Sequence, residues 1–232
     1  MCRSGDQVSD FTNPTCQDVT ALHWAALKAQ VDVAQYLIEH GAEIDAVGGD
    51  LVATPMQWAA YSGNVQILQL FMRHGADRTI RNSQGYNVLH CVTHAHAVIP
   101  LLYLLQQSVD VESTEMWKGN TPLAMAAKEG DSLSMDLLLK HGANPNSKNS
   151  DGCTPLHWAV VKGNKTCIRW LVEGGADVSA KDVMGRTPRD LASELNKLGA
   201  WNEAMDGGDM NENGVKRTKP LSEVSSYSLW EL

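Results

Sequence analysis

The side chains best suited to chemistry in this sequence are histidines and a cysteine near its centre. His90 and His94 stand one helical turn apart, and Cys91 and His96 lie beside them, a set of ligand types that zinc sites use. His90, however, occupies a position at which histidine recurs elsewhere in the chain, and no carboxylate or second cysteine lies at ligand spacing. We therefore expect no metal ion here and keep a metal site as the alternative.

The five cysteines show neither the spacing of a metal site nor the pattern of a disulfide framework, which favours a reducing, cytosolic setting. A nucleophilic cysteine or serine needs a base and an orienting group beside it in a cleft, and no segment of the sequence combines them. We expect no catalytic residue and no cofactor. The cysteines are Cys2, Cys16, Cys91, Cys153 and Cys167.

These residues belong to a pattern that repeats along most of the chain. The segment Thr154-Pro155-Leu156-His157-Trp158-Ala159 has close variants at successive spacings of 34, 33, 34, 33 and 33 residues. A period of about 33 residues that carries Thr-Pro-Leu-His-x-Ala is the ankyrin signature. We predict an all-α ankyrin-repeat solenoid of about six repeats with β-hairpin fingers. The repeats begin at Thr20, Thr54, Asn87, Thr121, Thr154 and Thr187.

Residue types in the second repeat predict its two helices. Thr54 is a good N-cap, and Pro55 suits the first helical position because its missing N–H is harmless there. We expect Gly63 to end this helix and Asn64 to cap the next one at residues 65–74. We expect Gly75 to end this second helix, directly after His74 in its last turn. We interpret the corresponding histidines as structural: His40, His74 and His141.

Charge and hydropathy exclude several kinds of partner. A formal net charge of −8 opposes binding to phosphate backbones, so we expect no nucleic-acid partner. The longest apolar run, residues 97–105, is far shorter than the roughly 20 residues that cross a bilayer, so we predict no membrane span. The predicted organisation is a disordered N-terminus (1–16), an ankyrin array (17–204) and a flexible tail (205–232). The first repeat has no neighbour before it to cover its apolar residues, so we expect that a repeat is missing upstream of Thr20.

Three tryptophans point to a binding surface. Trp24, Trp58 and Trp158 each stand two residues after a core Leu or Met, which places them almost opposite that residue on a helix. We expect them to line the groove side of the array, with Trp58 as the main anchor for an extended peptide. Tyr61 and Ser62 lie one turn further along the same face. The alternative is that the indoles are half-buried spacers between neighbouring first helices.

The sequence also resembles one protein family in particular. Segments 48–60, 83–87 and 198–201, together with the repeated His-Trp-Ala, are similar to the fungal ankyrin-repeat DHHC palmitoyltransferases over about residues 20–223. The resemblance implies an ankyrin array on the cytosolic face of Golgi and endosomal membranes, ahead of membrane helices and a cysteine-rich catalytic domain. This sequence contains no Asp-His-His-Cys motif.

Animal members of that family use an Asn on one first helix and a Trp on the next to hold extended substrate peptides. The Trp corresponds to Trp58 here. The Asn corresponds to Lys28, which lacks an amide able to both donate and accept. Together with the tryptophan surface, the resemblance gives five candidate peptide-binding residues: Trp58, Lys28, Trp24, Tyr61 and Trp158.

Two functions follow from these observations. The first is a protein-binding module that recruits protein substrates or regulators through extended segments, in the cytoplasm or at the cytosolic face of Golgi or early endosome membranes. The alternative is a short form of the palmitoyltransferase itself, which transfers palmitate to protein cysteines. Whether the chain is an enzyme stays open, because full-length relatives are protein-cysteine S-palmitoyltransferases while this sequence carries no catalytic element.

Overall fold

The computed structural model describes residues 18–107 and 109–206, which form twelve short α-helices and no β-strand. The predicted all-α class is confirmed. The predicted N-terminus (1–16), Ser108 and residues 207–232 of the tail lie outside the described residues. The helices are α1 (Ala21–Leu27), α2 (Val31–Glu39), α3 (Pro55–Ser62), α4 (Val65–Arg73), α5 (Val88–His94), α6 (Val98–Gln106), α7 (Pro122–Glu129), α8 (Ser132–Lys140), α9 (Pro155–Lys162), α10 (Lys165–Glu173), α11 (Pro188–Glu194) and α12 (Leu198–Asp206).

The helices are grouped into two compact units. The first unit holds α1 to α6 together with residues 114–117, and the second holds residues 111–113 and α7 to α12. In the first unit α3 packs against both α1 and α5, and in the second α9 packs against both α7 and α11. Each of these first helices also packs against the second helix of its own pair. Small alanines on the first helices, such as Ala59 and Ala60, are fully buried and let the helices approach closely.

The second repeat begins and ends its helices as predicted. Thr54 Oγ1 accepts a hydrogen bond from the Gln57 amide at 3.3 Å, and a proline fills the next position. Gly63 ends α3 in the left-handed conformation, with φ of +72°. Asn64 then caps α4 by accepting a hydrogen bond from the Ile67 amide at 2.9 Å.

Histidines have two structural roles in the array. His40 and His141 place Nδ1 at 2.7 and 2.8 Å from carbonyl oxygens of their own helices. The motif residue His157 is fully buried. Its Nδ1 accepts a hydrogen bond from the Thr154 amide at 3.1 Å, and its Nε2 donates to the Arg186 carbonyl at 3.2 Å. The motif histidine therefore ties the start of its own helix to the following finger.

Three of the fingers between repeats are tight turns built around an Asn or Asp side chain. Asn82 Oδ1 accepts hydrogen bonds from the amides of Gln84 and Tyr86, each at 3.0 Å. Asn149 and Asp182 do the same in later fingers. The predicted β-hairpin fingers are tight turns without β-strands among the described residues. Residues 18–107 and 109–206 contain one isolated antiparallel β-bridge, which joins Gly48 and Ala53.

A left-handed residue follows the first helix of every repeat, but glycine occupies that position in only three of them. Ala29 has φ of +57° and His96 has φ of +53°. A non-glycine residue in this conformation is strained by contact of its Cβ with the following carbonyl oxygen. The six positions are Ala29, Gly63, His96, Gly130, Gly163 and Asn196.

We expect Ala29→Gly to raise the free energy of unfolding by about 1 kcal/mol. Relief of left-handed strain is worth roughly 1–2 kcal/mol, and the extra entropy of glycine in the unfolded chain offsets roughly 0.4–1 kcal/mol of it. Urea unfolding followed by circular dichroism measures the change. The control is Gly63→Ala at the matching position of the next repeat, which should lose a similar amount. A loss of stability in Ala29→Gly would show that this position is not strained.

Candidate functional site

The structure brings two of the predicted site residues, Trp24 and Trp58, into one patch on α1 and α3. Their ring centroids lie 5.8 Å apart at an interplanar angle of 80°, and His23 packs against Trp58 at 5.2 Å and 70°. Both are edge-to-face arrangements, which stabilise aromatic pairs beyond simple burial. Trp24 is 36% exposed and Trp58 is half-buried. We call Trp24 and Trp58 the indole patch.

The finger before α3 fixes the orientation of the Trp58 ring. A Cβ added at Gly49 would lie 2.9 Å from Trp58 Cζ2, and Gly49 has φ of +74°, so glycine is required both by the backbone and by the ring. Trp58 Nε1 has no hydrogen-bond partner among the described residues and is not among their buried polar atoms. The indole is therefore held in place by protein while its N–H group is not fully buried. Both predicted roles, spacer and anchor, are compatible with this position.

Tyr61 lies on α3 beyond the indole patch and belongs to a different cluster. Its hydroxyl bonds to Gln84 Oε1 at 3.4 Å and to Asn82 Nδ2 at 3.3 Å. Its ring lies 6.4 Å from that of His94. Burial, followed by the neighbouring Cys91 thiol, raises the pKa of Tyr61. The neutral phenol thus holds the finger against α3, a role that the sequence did not reveal.

Of two further polar residues near the indole patch, the Lys28 side chain is free and the Ser62 side chain is already hydrogen-bonded. Lys28 is exposed at the end of α1, and its ammonium group forms no ion pair or hydrogen bond in the described part of the chain. It therefore offers a free positive charge one turn after Trp24. Ser62 Oγ instead donates to the Ala59 carbonyl at 2.9 Å. The Ser62 hydroxyl, expected to serve the site, is engaged by its own helix.

Trp158 lies on α9 in the second unit, and its neighbours differ from those of the indole patch. The ring is half-buried, and the ammonium group of Lys128 lies 5.5 Å from its centroid, within the range of a cation–π interaction. Trp158 Nε1 is buried and has no hydrogen-bond partner among the described residues. Trp158 therefore differs from Trp58, whose N–H group is not fully buried.

Of the side chains considered for metal binding, His90 is held by a hydrogen bond within its own repeat. Asn87 Oδ1 already accepts a hydrogen bond from the His90 amide at 3.1 Å, so His90 Nδ1, at 2.6 Å from the same oxygen, must donate. His90 and Cys91 are buried, whereas His94 is exposed beside Tyr86, at 6.0 Å between rings. Within the described ranges no three His, Cys, Asp or Glu residues are grouped so that they could hold a metal ion.

The cysteines of the described part are poor nucleophiles. Burial raises the pKa of Cys91 to about 12 and that of Cys167 to about 11. The pKa of Cys153 is also raised, first by burial and then by two neighbouring carboxylates. Because the thiolate is the reactive form, these thiols are largely unreactive at neutral pH. Cys2 and Cys16 lie outside the described residues.

Comparison with known proteins identifies the repeat. A family model for ankyrin repeats in many copies matches residues 22–72, and another for three copies matches residues 94–182. The chain belongs to the ankyrin-repeat family. The solved ankyrin-repeat domain of Bcl-3, an IkappaB protein, has a TM-score of 0.71 and 27% identity over 78% of this chain and 82% of that one. The predicted ankyrin solenoid is therefore confirmed.

The ankyrin array is also similar to proteins named palmitoyltransferases. Palmitoyltransferase AKR1 of Naumovozyma castellii is 44% identical over 62% of this chain and 20% of its own length. Palmitoyltransferase akr1 of Schizosaccharomyces pombe is 51% identical over 48% of this chain and 17% of its own length. The resemblance predicted from the sequence is confirmed, and the chain spans about one fifth of the length of these relatives. None of the described helices is long and apolar enough to cross a membrane.

Two features of the patch escaped the sequence-based prediction. His23 forms the third ring of the patch, and Gly49 packs against the Trp58 ring. His23 directly precedes Trp24, so the motif itself contained that signal. Contact between Gly49 and the indole depends on how the finger folds back over α3, which the spacing of residues alone does not specify.

Proposed function

We propose that this ankyrin array binds extended segments of partner proteins at the indole patch and so presents protein substrates or regulators to a palmitoyltransferase. The position of Trp58 is the observation that carries the proposal, because its ring is held by His23, Trp24 and Gly49 while its Nε1 is not fully buried and has no hydrogen-bond partner among the described residues. We place this activity in the cytoplasm or at the cytosolic face of Golgi or early endosome membranes. Similarity to the named palmitoyltransferases supports a role alongside palmitate transfer.

The chemistry of the patch favours an extended segment with an apolar side chain. Fixed aromatic rings lose little conformational entropy on binding, and tryptophan is enriched among residues that dominate interface energies. The indole N–H of Trp58 can donate to a main-chain carbonyl of the ligand. Lys28, exposed near Trp24, adds a positive charge where an acidic side chain of the ligand can pair. The Asn that animal members of the resembled family carry at the position of Lys28 is uncharged, so it would not favour an acidic side chain of the ligand.

We expect Trp58→Ala to weaken binding about thirtyfold, because loss of an anchoring tryptophan commonly costs about 2 kcal/mol. The probe is the strongest binder from an array of synthetic ten-residue peptides taken from proteins with palmitoylated cysteines, and fluorescence anisotropy measures its affinity. Thermal unfolding is recorded in parallel. Since Trp58 is half-buried, a moderate fall in melting temperature is expected, with the variant still folded at the assay temperature.

The matched control is Trp117→Ala, which removes a tryptophan that is 68% exposed in a finger of the same unit. Its affinity for the probe should stay within about twofold of the unchanged protein, because it lies outside the patch. Trp24→Ala should weaken binding with a smaller loss of stability. Unchanged affinity in folded Trp58→Ala would show that the indole is a spacer and that peptides bind elsewhere.

A second candidate function is palmitate transfer by a longer form of this protein, and similarity to palmitoyltransferases is the observation that favours it. The thiols of the described residues do not support transfer by this part, because burial raises their pKa values. Catalysis would then reside in the remaining four fifths of the relatives' length. In that arrangement the indole patch supplies substrate binding and another domain supplies the acyl-accepting cysteine.

A further inference from the structure

Within each unit, consecutive fingers are joined by main-chain hydrogen bonds. Each bond runs from an amide of one finger to a carbonyl of the finger before it, and two such bonds lie in each unit. We call these bonds the finger ladder of the unit. The donor and acceptor pairs are Ser83 and Leu51 at 2.8 Å, Met116 and Gly85 at 3.3 Å, Ser150 and Lys118 at 2.8 Å, and Val183 and Asp151 at 3.0 Å.

The last two fingers of the second unit meet at three points. The Val183 amide donates to the Asp151 carbonyl at 3.0 Å, and Lys148 Nζ donates to the Lys181 carbonyl, also at 3.0 Å. A Cβ added at Gly152 would lie 2.9 Å from the Val183 nitrogen, so the glycine leaves room for the incoming main chain. The last finger therefore presents a carbonyl and, two residues later, an N–H group to the finger before it.

The first unit uses the same three contacts. The Arg81 guanidinium donates to the Thr114 carbonyl, and two residues later the Met116 amide donates to the Gly85 carbonyl. A Cβ added at Gly85 would lie 2.7 Å from the Met116 nitrogen. A long basic side chain, a carbonyl and a glycine thus receive the next finger in both units.

The last finger carries the same three features, but the described residues leave them unoccupied. Met184 corresponds to Asp151 of the preceding finger, and its carbonyl accepts no hydrogen bond in the described part of the chain. A Cβ added at Gly185 would meet nothing within 4 Å. Lys181 Nζ donates to no carbonyl of residues 18–107 or 109–206. We call Lys181, Met184 and Gly185 the open finger edge.

The open finger edge offers main-chain acceptors but no free main-chain donor. The Met184 and Arg186 amides both donate to Asp182 Oδ1 at 2.9 Å. The Gly185 amide donates to the Asp182 carbonyl at 3.0 Å, and the Val183 amide is used by the preceding finger. The last fingers of two copies of this chain therefore cannot pair with each other through main-chain hydrogen bonds.

The chain's own sequence contains a similar turn motif further on, at residues 211–214, which read Asn-Glu-Asn-Gly. In three earlier repeats the turn residue comes nine positions after the last residue of a second helix, as Asp182 does after Glu173. Residue 211 comes only five positions after Asp206, the end of α12. This shorter connection does not repeat the earlier path, which favours an occupant from another protein.

We propose that the open finger edge binds a finger-type turn of a partner protein, with the sequence Asn-x-x-Gly or Asp-x-x-Gly. Turns of this sequence fill three of the four junctions within this chain, at 82–85, 149–152 and 182–185. The carbonyl before the partner's Asn or Asp accepts from Lys181, the N–H group after it donates to the Met184 carbonyl, and the main chain lies over Gly185. Unpaired main-chain edges are templates for another chain, and such pairing takes its affinity from main-chain hydrogen bonds.

This site goes beyond the function proposed for the indole patch. It recognises main-chain groups, whereas the indole patch is proposed to hold an apolar side chain. The two sites lie in different units and are tested with different peptides. A failure at the open finger edge therefore leaves the result at Trp58 untouched, and the reverse is also true.

The test is an NMR titration of the ¹⁵N-labelled full chain with a synthetic peptide of residues 179–188, acetyl-Ser-Ala-Lys-Asp-Val-Met-Gly-Arg-Thr-Pro-amide. This segment contains the turn that already binds the preceding finger. We expect a saturable downfield shift of the Gly185 amide resonance. The reason is that the Met184 carbonyl belongs to the same peptide group, and accepting a hydrogen bond polarises that group.

A second peptide tests the main-chain contact directly. N-methylvaline in place of valine keeps the side chain and removes the N–H group that should donate to Met184. We expect this peptide to bind about tenfold more weakly, because a hydrogen bond is lost and the Met184 carbonyl stays unpaired. Equal affinity of the two peptides would contradict the proposal.

Two glycine variants test the place of the partner's main chain. Gly185→Ala puts a Cβ there and should weaken binding about tenfold, with the amide of the new residue as reporter. The matched control is Gly175→Ala in the same unit. Gly175 and Gly185 have φ of +89° and +78° and nothing within 4 Å of an added Cβ, so the strain is similar. Affinity in the control should stay within about twofold. Lys181→Met, which removes a donor, should cost about threefold.

Several outcomes would overturn the proposal. One is the absence of a saturable shift at Gly185 with peptide at about 10 mM, where even weak complexes form. Another is an equal loss of affinity in Gly185→Ala and Gly175→Ala. A shift of Gly185 caused by Asn211→Ala or Gly214→Ala without peptide would show that the chain's own segment occupies the edge. A shift that depends on protein concentration alone would show that a second copy occupies it.

Discussion

His157→Ala is expected to lower the free energy of unfolding by about 3 kcal/mol, whereas His157→Gln should cost less than about 1 kcal/mol. Alanine leaves the buried Thr154 amide without its partner and removes one of the two hydrogen bonds of the Arg186 carbonyl, which keeps the bond from the Asp182 amide at 3.0 Å. Each unsatisfied buried polar group costs roughly 1–3 kcal/mol. Thr154 is 1% exposed and His157 is fully buried, so water cannot readily replace the lost bonds.

The second repeat shows why glutamine is tolerated at this position. There Gln57 occupies the place of the motif histidine, and its Oε1 accepts a hydrogen bond from the Thr54 amide at 3.0 Å. Its Nε2 donates to the carbonyls of Ile80 and Tyr86 at 2.8 and 3.0 Å. Glutamine thus supplies the same acceptor and donor as the neutral imidazole, without a titratable group.

The same variant should flatten the dependence of stability on pH. Burial lowers the pKa of His157, and the Arg186 carbonyl only partly opposes this. Above the ordinary histidine pKa of about 6.5 the residue is neutral in both states, and its full contribution is present. As the pH falls below that value the unfolded chain takes up a proton first, so stability is lost. Urea unfolding at pH 7.5 and pH 5.5 measures the loss, which should be smaller in His157→Gln.

Other titrating groups define the control for this experiment. His23 also has a pKa lowered by burial, so it accounts for pH dependence that remains in His157→Gln, and His23→Gln added to it should reduce the remainder. Asp177, Asp182 and Asp190 have lowered pKa values and lose their contribution only as the pH falls through the more acidic range near and below about 4. If His157→Gln were as unstable as His157→Ala, the hydrogen-bond explanation would be wrong.

Most of the fold could be predicted because the repeat encodes it locally. Thr54, Gly63 and Asn64 each act through a backbone group within a few residues, so their types were sufficient to place the ends of α3 and α4. The structural role of His40 and His141 was equally local. The ankyrin period then set the order of the helices.

The remaining features depend on contacts between distant residues, which the repeat does not encode. Ala29 and His96 adopt left-handed conformations without glycine, because the turn between the two helices imposes that conformation on whatever residue is present. Tyr61 bonds to a finger more than twenty positions away in the chain. The repeat period predicts that Trp58 and Trp158 lie on equivalent helix faces. It does not predict which side chains surround each indole, and these differ between the two.

A second large effect is expected at the finger glycine Gly85, where alanine should cost about 3 kcal/mol or more. Gly85 has φ of +76°, and an added Cβ would lie 2.5 Å from Met116 Cβ and 2.7 Å from its amide nitrogen. The left-handed conformation alone costs an alanine roughly 1–2 kcal/mol. Contact with a backbone atom cannot be relieved by turning a side chain, so the segment at 114–117 must move and weaken the hydrogen bond from the Met116 amide to the Gly85 carbonyl, now 3.3 Å.

The matched control is Gly75→Ala in the same unit, because Gly75 has φ of +79° but nothing within 4 Å of an added Cβ. That variant should lose only about 1 kcal/mol, the conformational part of the cost. The difference between the two variants in urea unfolding therefore measures the close approach of the finger to Met116. Equal losses would mean that the finger and Met116 separate without cost. A larger loss at Gly85 would show that this finger, which also carries the Tyr61 partners Asn82 and Gln84, is packed tightly against Met116.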